Sequence, residues 1–184
     1  MNTDAVMRLA PIIPVIVIDD AARAQSLAQR LVADNMLALE VTLRTPAALE
    51  SIAEMARVPG AVVGAGTVLN EAQLDAAIAA GARFIVSPGL TERLGHAIRE
   101  RRIPWLPGIA NASDIMRGMD LGLDRFKFFP AVASGGIPAL KALSAPFGAA
   151  RFCPTGGITA DTAKDWLALP SVICVGGSWM APAS

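Results

Sequence analysis

Histidine occurs once in the chain, at His96, and cysteine twice, at Cys153 and Cys174. That is too little for any common zinc site, and it leaves a histidine-based nucleophilic triad no candidate but His96. In so apolar a chain the two cysteines read as small core residues of a reducing cytosol rather than as a disulfide. Net charge is equally scarce: 16 Lys and Arg balance 16 Asp and Glu. This leaves no electrostatic footprint for nucleic acid or an anionic membrane, and a small soluble molecule is the expected partner. Long apolar runs are missing too. The longest, Ala10 to Ile18, contains two prolines and has about half the length of a transmembrane helix. Residues 1–10 lack the basic lead and apolar block of a signal peptide, although Asp4 and Arg8 stand at helical spacing. Cytoplasmic residence is the expectation. The 16 glycines and 13 prolines form no linker, and 184 residues that are 53% hydrophobic suit one domain over 1–184 with a sizeable core.

What the chain does have is alternation. Short β-rich runs at Ile12–Ile18, Met36–Arg44, Ala61–Val68, Arg83–Gly89, Ile103–Ile109, Arg125–Ala131, Ala150–Gly157 and Ser171–Ser178 predict strands. Between them, Ala-rich amphipathic stretches predict helices near Ala21–Asn35, Pro46–Val58, Glu71–Ala80, Thr91–Arg102, Ala112–Leu121, Gly136–Leu143 and Ala160–Leu169. A βα repeat of about 23 residues demands parallel strands. Eight such units favour a closed (β/α)8 TIM barrel over an open doubly wound sheet.

Alternate residues of a barrel strand point inward and outward. Across Met36–Arg44, Leu37, Leu39, Val41 and Leu43 form an apolar face suited to the helix layer, which turns Ala38, Glu40, Thr42 and Arg44 inward. Across Arg125–Phe129, Phe126 and Phe128 share one face, with Arg125, Lys127 and Phe129 on the other. Only three lysines occur, and Lys141 and Lys164 fall on helix candidates as solvated charges. Lys127 alone lies inside an apolar strand. An inward Lys and Glu form either a structural ion pair or a reactive one. Burial costs several kcal/mol for each charge unless it is well paired, so a function explains their presence better. An amine held away from water is more readily the free base that attacks a carbonyl carbon, and a neighbouring carboxylate can shuttle protons.

The strand ends add glycines. Strand seven ends in Cys153-Pro154-Thr155-Gly156-Gly157 and strand eight in Val175-Gly176-Gly177-Ser178. Paired Gly-Gly turns at these two ends suit a phosphate, because backbone N–H groups can approach it closely. The run Gly64-Ala65-Gly66-Thr67 ends strand three, where either glycine packing or a ligand hydroxyl on Thr67 explains it equally well.

Taken in order, L-E-V-T-L-R (Leu39–Arg44), G-A-G-T-V-L (Gly64–Leu69), S-P-G (Ser87–Gly89), P-G-I (Pro107–Ile109), F-K-F-F-P (Phe126–Pro130), R-F-C-P-T-G-G-I (Arg151–Ile158) and G-G-S-W (Gly176–Trp179) resemble the 2-keto-3-deoxy-6-phosphogluconate (KDPG) and 4-hydroxy-2-oxoglutarate (KHG) aldolase family. The resemblance runs from about Ile12 to Met180. It implies a trimeric (β/α)8 class I aldolase of the Entner–Doudoroff pathway that forms a Schiff base and uses no metal or other cofactor. It makes Lys127 the Schiff-base lysine and Glu40 the general acid/base. Arg44 and Thr67 would hold the carboxylate of the pyruvyl half, and Pro88 and Phe129 would line the pocket. Thr155, Gly156, Gly157, Gly177 and Ser178 would receive the distal phosphate. The family continues past G-G-S-W into a final helix, whereas this chain stops at Ala181-Pro182-Ala183-Ser184, so a barrel lacking its last C-terminal helix is expected. A sugar-phosphate epimerase and a catalytically dead barrel are the readings from other classes.

Overall fold

The computed structural model describes residues 1–181. Helix α1 (Thr3–Met7) precedes strand β1 (Ile12–Ile16), and a single 3-10 turn (Ala21–Arg23) leads into α2 (Ala24–Ala33). Then follow β2 (Ala38–Thr42), α3 (Ala48–Ala56), β3 (Val62–Gly66), α4 (Glu71–Ala79), β4 (Phe84–Ser87), α5 (Glu92–Glu100), β5 (Trp105–Ile109) and α6 (Ala112–Asp120). The last units are β6 (Arg125–Phe128), α7 (Gly136–Ser144), β7 (Arg151–Pro154), α8 (Ala160–Leu167) and β8 (Val175–Gly177). All eight strands are parallel, in the order β7-β6-β5-β4-β3-β2-β1-β8. Single bridges Phe152–Val172 and Thr155–Gly176 join β7 to β8 and close the ring. The fold is a (β/α)8 barrel.

The helices begin where side chains can cap them. Asn70, Thr91 and Asn111 accept from the backbone N–H of Gln73, Leu94 and Asp114, satisfying donors that the first turn leaves free. Outward strand residues glue the helices on. Leu39 and Val41 pack with Ala28 and Leu31 of α2 and Ile52 and Met55 of α3. Phe126 and Phe128 meet Ile115, Leu140 and Trp166, with the Phe128 and Trp166 rings 6.4 Å apart.

Several strands are shorter than the sequence pattern suggests, for reasons of hydrogen bonding. β6 stops at Phe128 and not at Ala131, since Pro130 has no N–H to continue the ladder, and β4 stops before Pro88. β8 is reduced to Val175–Gly177 because it pairs fully with β1 but meets β7 only at the two bridges. Among the described residues no helix follows β8. Pro182, Ala183 and Ser184, the end of the run behind the expected missing helix, lie outside them. A cavity of about 850 Å³ opens on the outer flank there, between α2 and Met180.

The pattern gives no sign of α1 beyond the Asp4–Arg8 spacing. Asn2 caps it, and it sits under the barrel. Val6 and Met7 join Ile13, Ala38, Phe84, Val86, Leu106, Cys153 and Cys174 in the cluster that fills the lower barrel. Arg125 points inward at the same end and donates to Asp4 at 2.6 Å, while Arg8 donates to the other carboxylate oxygen at 2.8 Å. These two bonds, that of Arg8 first, hold the Asp4 carboxyl below its ordinary 3.8. A carboxyl lowered on folding stabilises fully above its unfolded value, and that contribution fades as pH falls through the folded one. Asp4→Asn should therefore lower Tm at pH 7 by roughly 2–4 °C. Melting curves of the variant and parent should converge as the pH drops from 3.8 through the folded-state value. A gap that persists in acid would show that the carboxylate charge is not what matters.

Candidate active site

Glu40 on β2 and Lys127 on β6 project inward from opposite sides of the barrel, as the alternation predicts. Lys127 Nζ donates to Glu40 Oε1 at 3.0 Å and lies 3.3 Å from Oε2. Both side chains are nearly sealed, with 6% and 3% of their surface exposed. The ammonium also stands 5.3 Å from the centre of the Phe129 ring, within range of a cation–π attraction. The outward neighbours Phe126 and Phe128, both buried, fix the strand orientation that aims Lys127 at the centre.

Above this pair a cavity of about 440 Å³ opens at the C-terminal ends of the strands. Lys127 and Phe129 form part of its floor and wall, with Arg44, Thr155, Gly156, Gly157, Gly177 and Ser178 around them. Eight of the residues anticipated from sequence thus share one chamber, and Glu40 joins through Lys127. Thr67 stands behind Arg44, whose Nε donates to its hydroxyl at 3.3 Å, leaving the rest of the guanidinium fork for a ligand. Its backbone is left-handed, at φ +60, which is costly for a β-branched residue. Gly156 and Gly157 adopt φ +103 and +78, so this turn needs glycine for its backbone as well as for access.

Glu40, Thr67 and Pro88 do not themselves line this chamber. Pro88 is exposed just past β4, and its carbonyl packs onto the Gly108 backbone, in the space a side chain there would take. The loop is held by Ser87, which accepts from Trp105 Nε1 at 2.9 Å and donates to the Gly89 carbonyl at 2.6 Å. The pattern also missed Val15, Val17 and Ile158, which give the chamber its apolar surface, and Trp179, whose indole lies where a Gly177 side chain would be. Trp179 stands in the G-G-S-W run and signals only through its neighbours.

Among the described residues no three His, Cys, Asp or Glu side chains come together, and no helix is long and apolar enough to cross a membrane. Cys153 and Cys174 are free and buried. The Cys153 thiol beside it, together with burial, pushes the Cys174 thiol well above its usual value, which makes it unreactive.

A family model described as KDPG and KHG aldolase matches residues 3–184. The chain belongs to this family. Among KDPG/KHG relatives, the KHG/KDPG aldolase of Escherichia coli is 51% identical over 99% of this chain and 86% of its own. A crystal structure of the 2-keto-3-deoxy-6-phosphogluconate aldolase of Zymomonas mobilis with 3-phosphoglycerate superimposes with a TM-score of 0.97. It is 59% identical, covering 99% of this chain and 87% of that one. The KDPG aldolase of Legionella pneumophila, with pyruvate captured as a covalent carbinolamine intermediate, gives a TM-score of 0.96 at 46% identity, over 99% and 89% of the two chains.

Proposed function

We propose that the protein is a class I aldolase that cleaves KDPG to pyruvate and glyceraldehyde 3-phosphate, and KHG to pyruvate and glyoxylate. The sealed Lys127–Glu40 pair beneath the open chamber carries the reading. Lys127 Nζ attacks the C2 ketone to give a carbinolamine, which loses water to become an iminium. Glu40 takes the proton of the C4 hydroxyl through a water, the C3–C4 bond breaks, and its electrons pass into the iminium to leave an enamine. The aldehyde departs, Glu40 returns the proton to C3, and hydrolysis frees pyruvate and the lysine. Arg44, backed by Thr67, grips the pyruvyl carboxylate, and the Thr155–Gly157 and Gly177–Ser178 turns take the phosphate. Lysine supplies the electron sink, so the reaction calls for no metal or other cofactor. The free, buried cysteines support a cytoplasmic enzyme, and the exposed Leu69, Met116 and Met119 support an oligomer, read as the family homotrimer. An epimerase or a dead barrel finds no supporting observation.

Pyruvate with borohydride tests the reading: a stable adduct should form on Lys127, found by peptide mass mapping. A label on Lys141 or Lys164, or none, would overturn it. The phosphate turns have their own test. Substituting Gly157 would strain its positive φ and press on Val132, so Ser178, exposed at the rim, is the cleaner probe. Ser178→Ala should raise KM for KDPG about tenfold, since a hydrogen bond to a charged group contributes about 1.5–3 kcal/mol. KM for unphosphorylated KHG should hold. Equal changes for both substrates would remove Ser178 from the phosphate site.

A further inference from the structure

The inward face of β3 has no side chain at its middle, Gly64, or at its last residue, Gly66, and neighbours fill the space. A Cβ on Gly64 would strike the Phe84 ring, in the packed lower barrel. At Gly66 the occupant is different. A Cβ there would fall against the Glu40 carboxylate oxygen Oε1, 2.7 Å from Cγ and 2.9 Å from Cδ of the same side chain. Real Cβ atoms do not approach this closely, and the obstructed atoms are not a free end, because the carboxylate is sealed and bound to Lys127. Backbone conformation does not demand the glycine, since Gly66 sits in an extended strand paired with Thr42 and its φ is not positive. A glycine in a strand that its backbone conformation does not require often marks the close approach of another group.

We propose that Gly66 is a positioning residue for the proton shuttle: its missing side chain reserves the volume in which the Glu40 carboxylate lies across β3 and faces Lys127. The inference rests on the reading of Glu40 as the shuttle. A single methyl group at Gly66 would push the carboxylate off its site while leaving the Lys127 amine, on the far strand, in place.

Gly66→Ala should therefore separate the half-reactions. Borohydride trapping of pyruvate on Lys127 should stay within about fivefold of the parent. Cleavage, and deuterium exchange into the pyruvate methyl group followed by NMR, should fall about 10²-fold. In a Glu40→Ala background, where the volume is empty, Gly66→Ala should cost no more than about twofold further, because the two positions act through one another. Should Gly66→Ala alone fail to fold, the double variant should restore folding, and its failure to do so would overturn the proposal. So would cleavage by Gly66→Ala within threefold of the parent, or a parallel loss of trapping and exchange that recurs in full in the Glu40→Ala background. A parent that takes no label on Lys127 would instead refute the aldolase reading. A labelled parent beside a fully active Gly66→Ala would refute only the role of Gly66.

Discussion

Cleavage of KDPG should fall on the order of 10⁴-fold or more when Lys127 becomes methionine, the scale seen when a covalent nucleophile is removed. Pyruvate and borohydride should then leave the chain unlabelled. Methionine matches the length of the side chain but strips Glu40 of its ion-pair partner, Lys127 Nζ at 3.0 Å. An unpaired buried carboxylate is strongly destabilising, so the melting temperature at pH 7 should drop as well. Lys127→Arg separates the two effects. It keeps a cation beside Glu40, yet a guanidinium stays protonated and cannot attack the ketone. Cleavage should be lost in both variants, with more of the stability kept in the arginine one. Measurable turnover in either, or an adduct that moves to Lys141 or Lys164, would show that the electron sink lies elsewhere.

The second large effect is expected at Glu40. Glu40→Gln retains the shape that lies over Gly66 and still offers an oxygen to the Lys127 ammonium, but it cannot take up a proton. Imine formation, which depends mainly on the amine, should survive better than carbon–carbon cleavage, which should fall 10²–10⁴-fold. Stopped-flow measurement of cleavage beside borohydride trapping resolves the two. Equal losses in both would mean that Glu40 serves to hold Lys127 and that another group moves the proton. Unchanged cleavage would exclude it outright.

Lys127 and Glu40 were legible in the sequence because a period of two sorts a strand into faces, and an apolar outer face such as Phe126 and Phe128 leaves its partners nowhere to go but inward. The same rule placed Arg125 inside but could not say what met it there. Its partner Asp4 lies on a five-residue helix, too short to show a period, and 121 positions away. Gly66 was legible only as packing or as a neighbour of a ligand hydroxyl; that its empty side holds the Glu40 carboxylate depends on side chains of two strands meeting. The motif names Pro88 as a pocket residue, but that the backbone of its loop packs onto Gly108 has no signature in residue type. Strand ends were overrun wherever a proline or the sparse β7–β8 seam, rather than hydrophobicity, ended the ladder.

Among the described residues the base of the barrel is closed, and its doorway is the mouth at the other end. α1 stoppers one end, Asp4 is bolted to Arg125, and the lower interior is solid with Ile13, Phe84, Val86 and Leu106. Substrate, both products and the hydrolytic water therefore share the mouth above Lys127. On the proposed mechanism the aldehyde fragment leaves by that passage, and until it does so it stands where it can recombine with the enamine. The plumbing makes release sequential: the aldehyde clears the passage first, and pyruvate follows it.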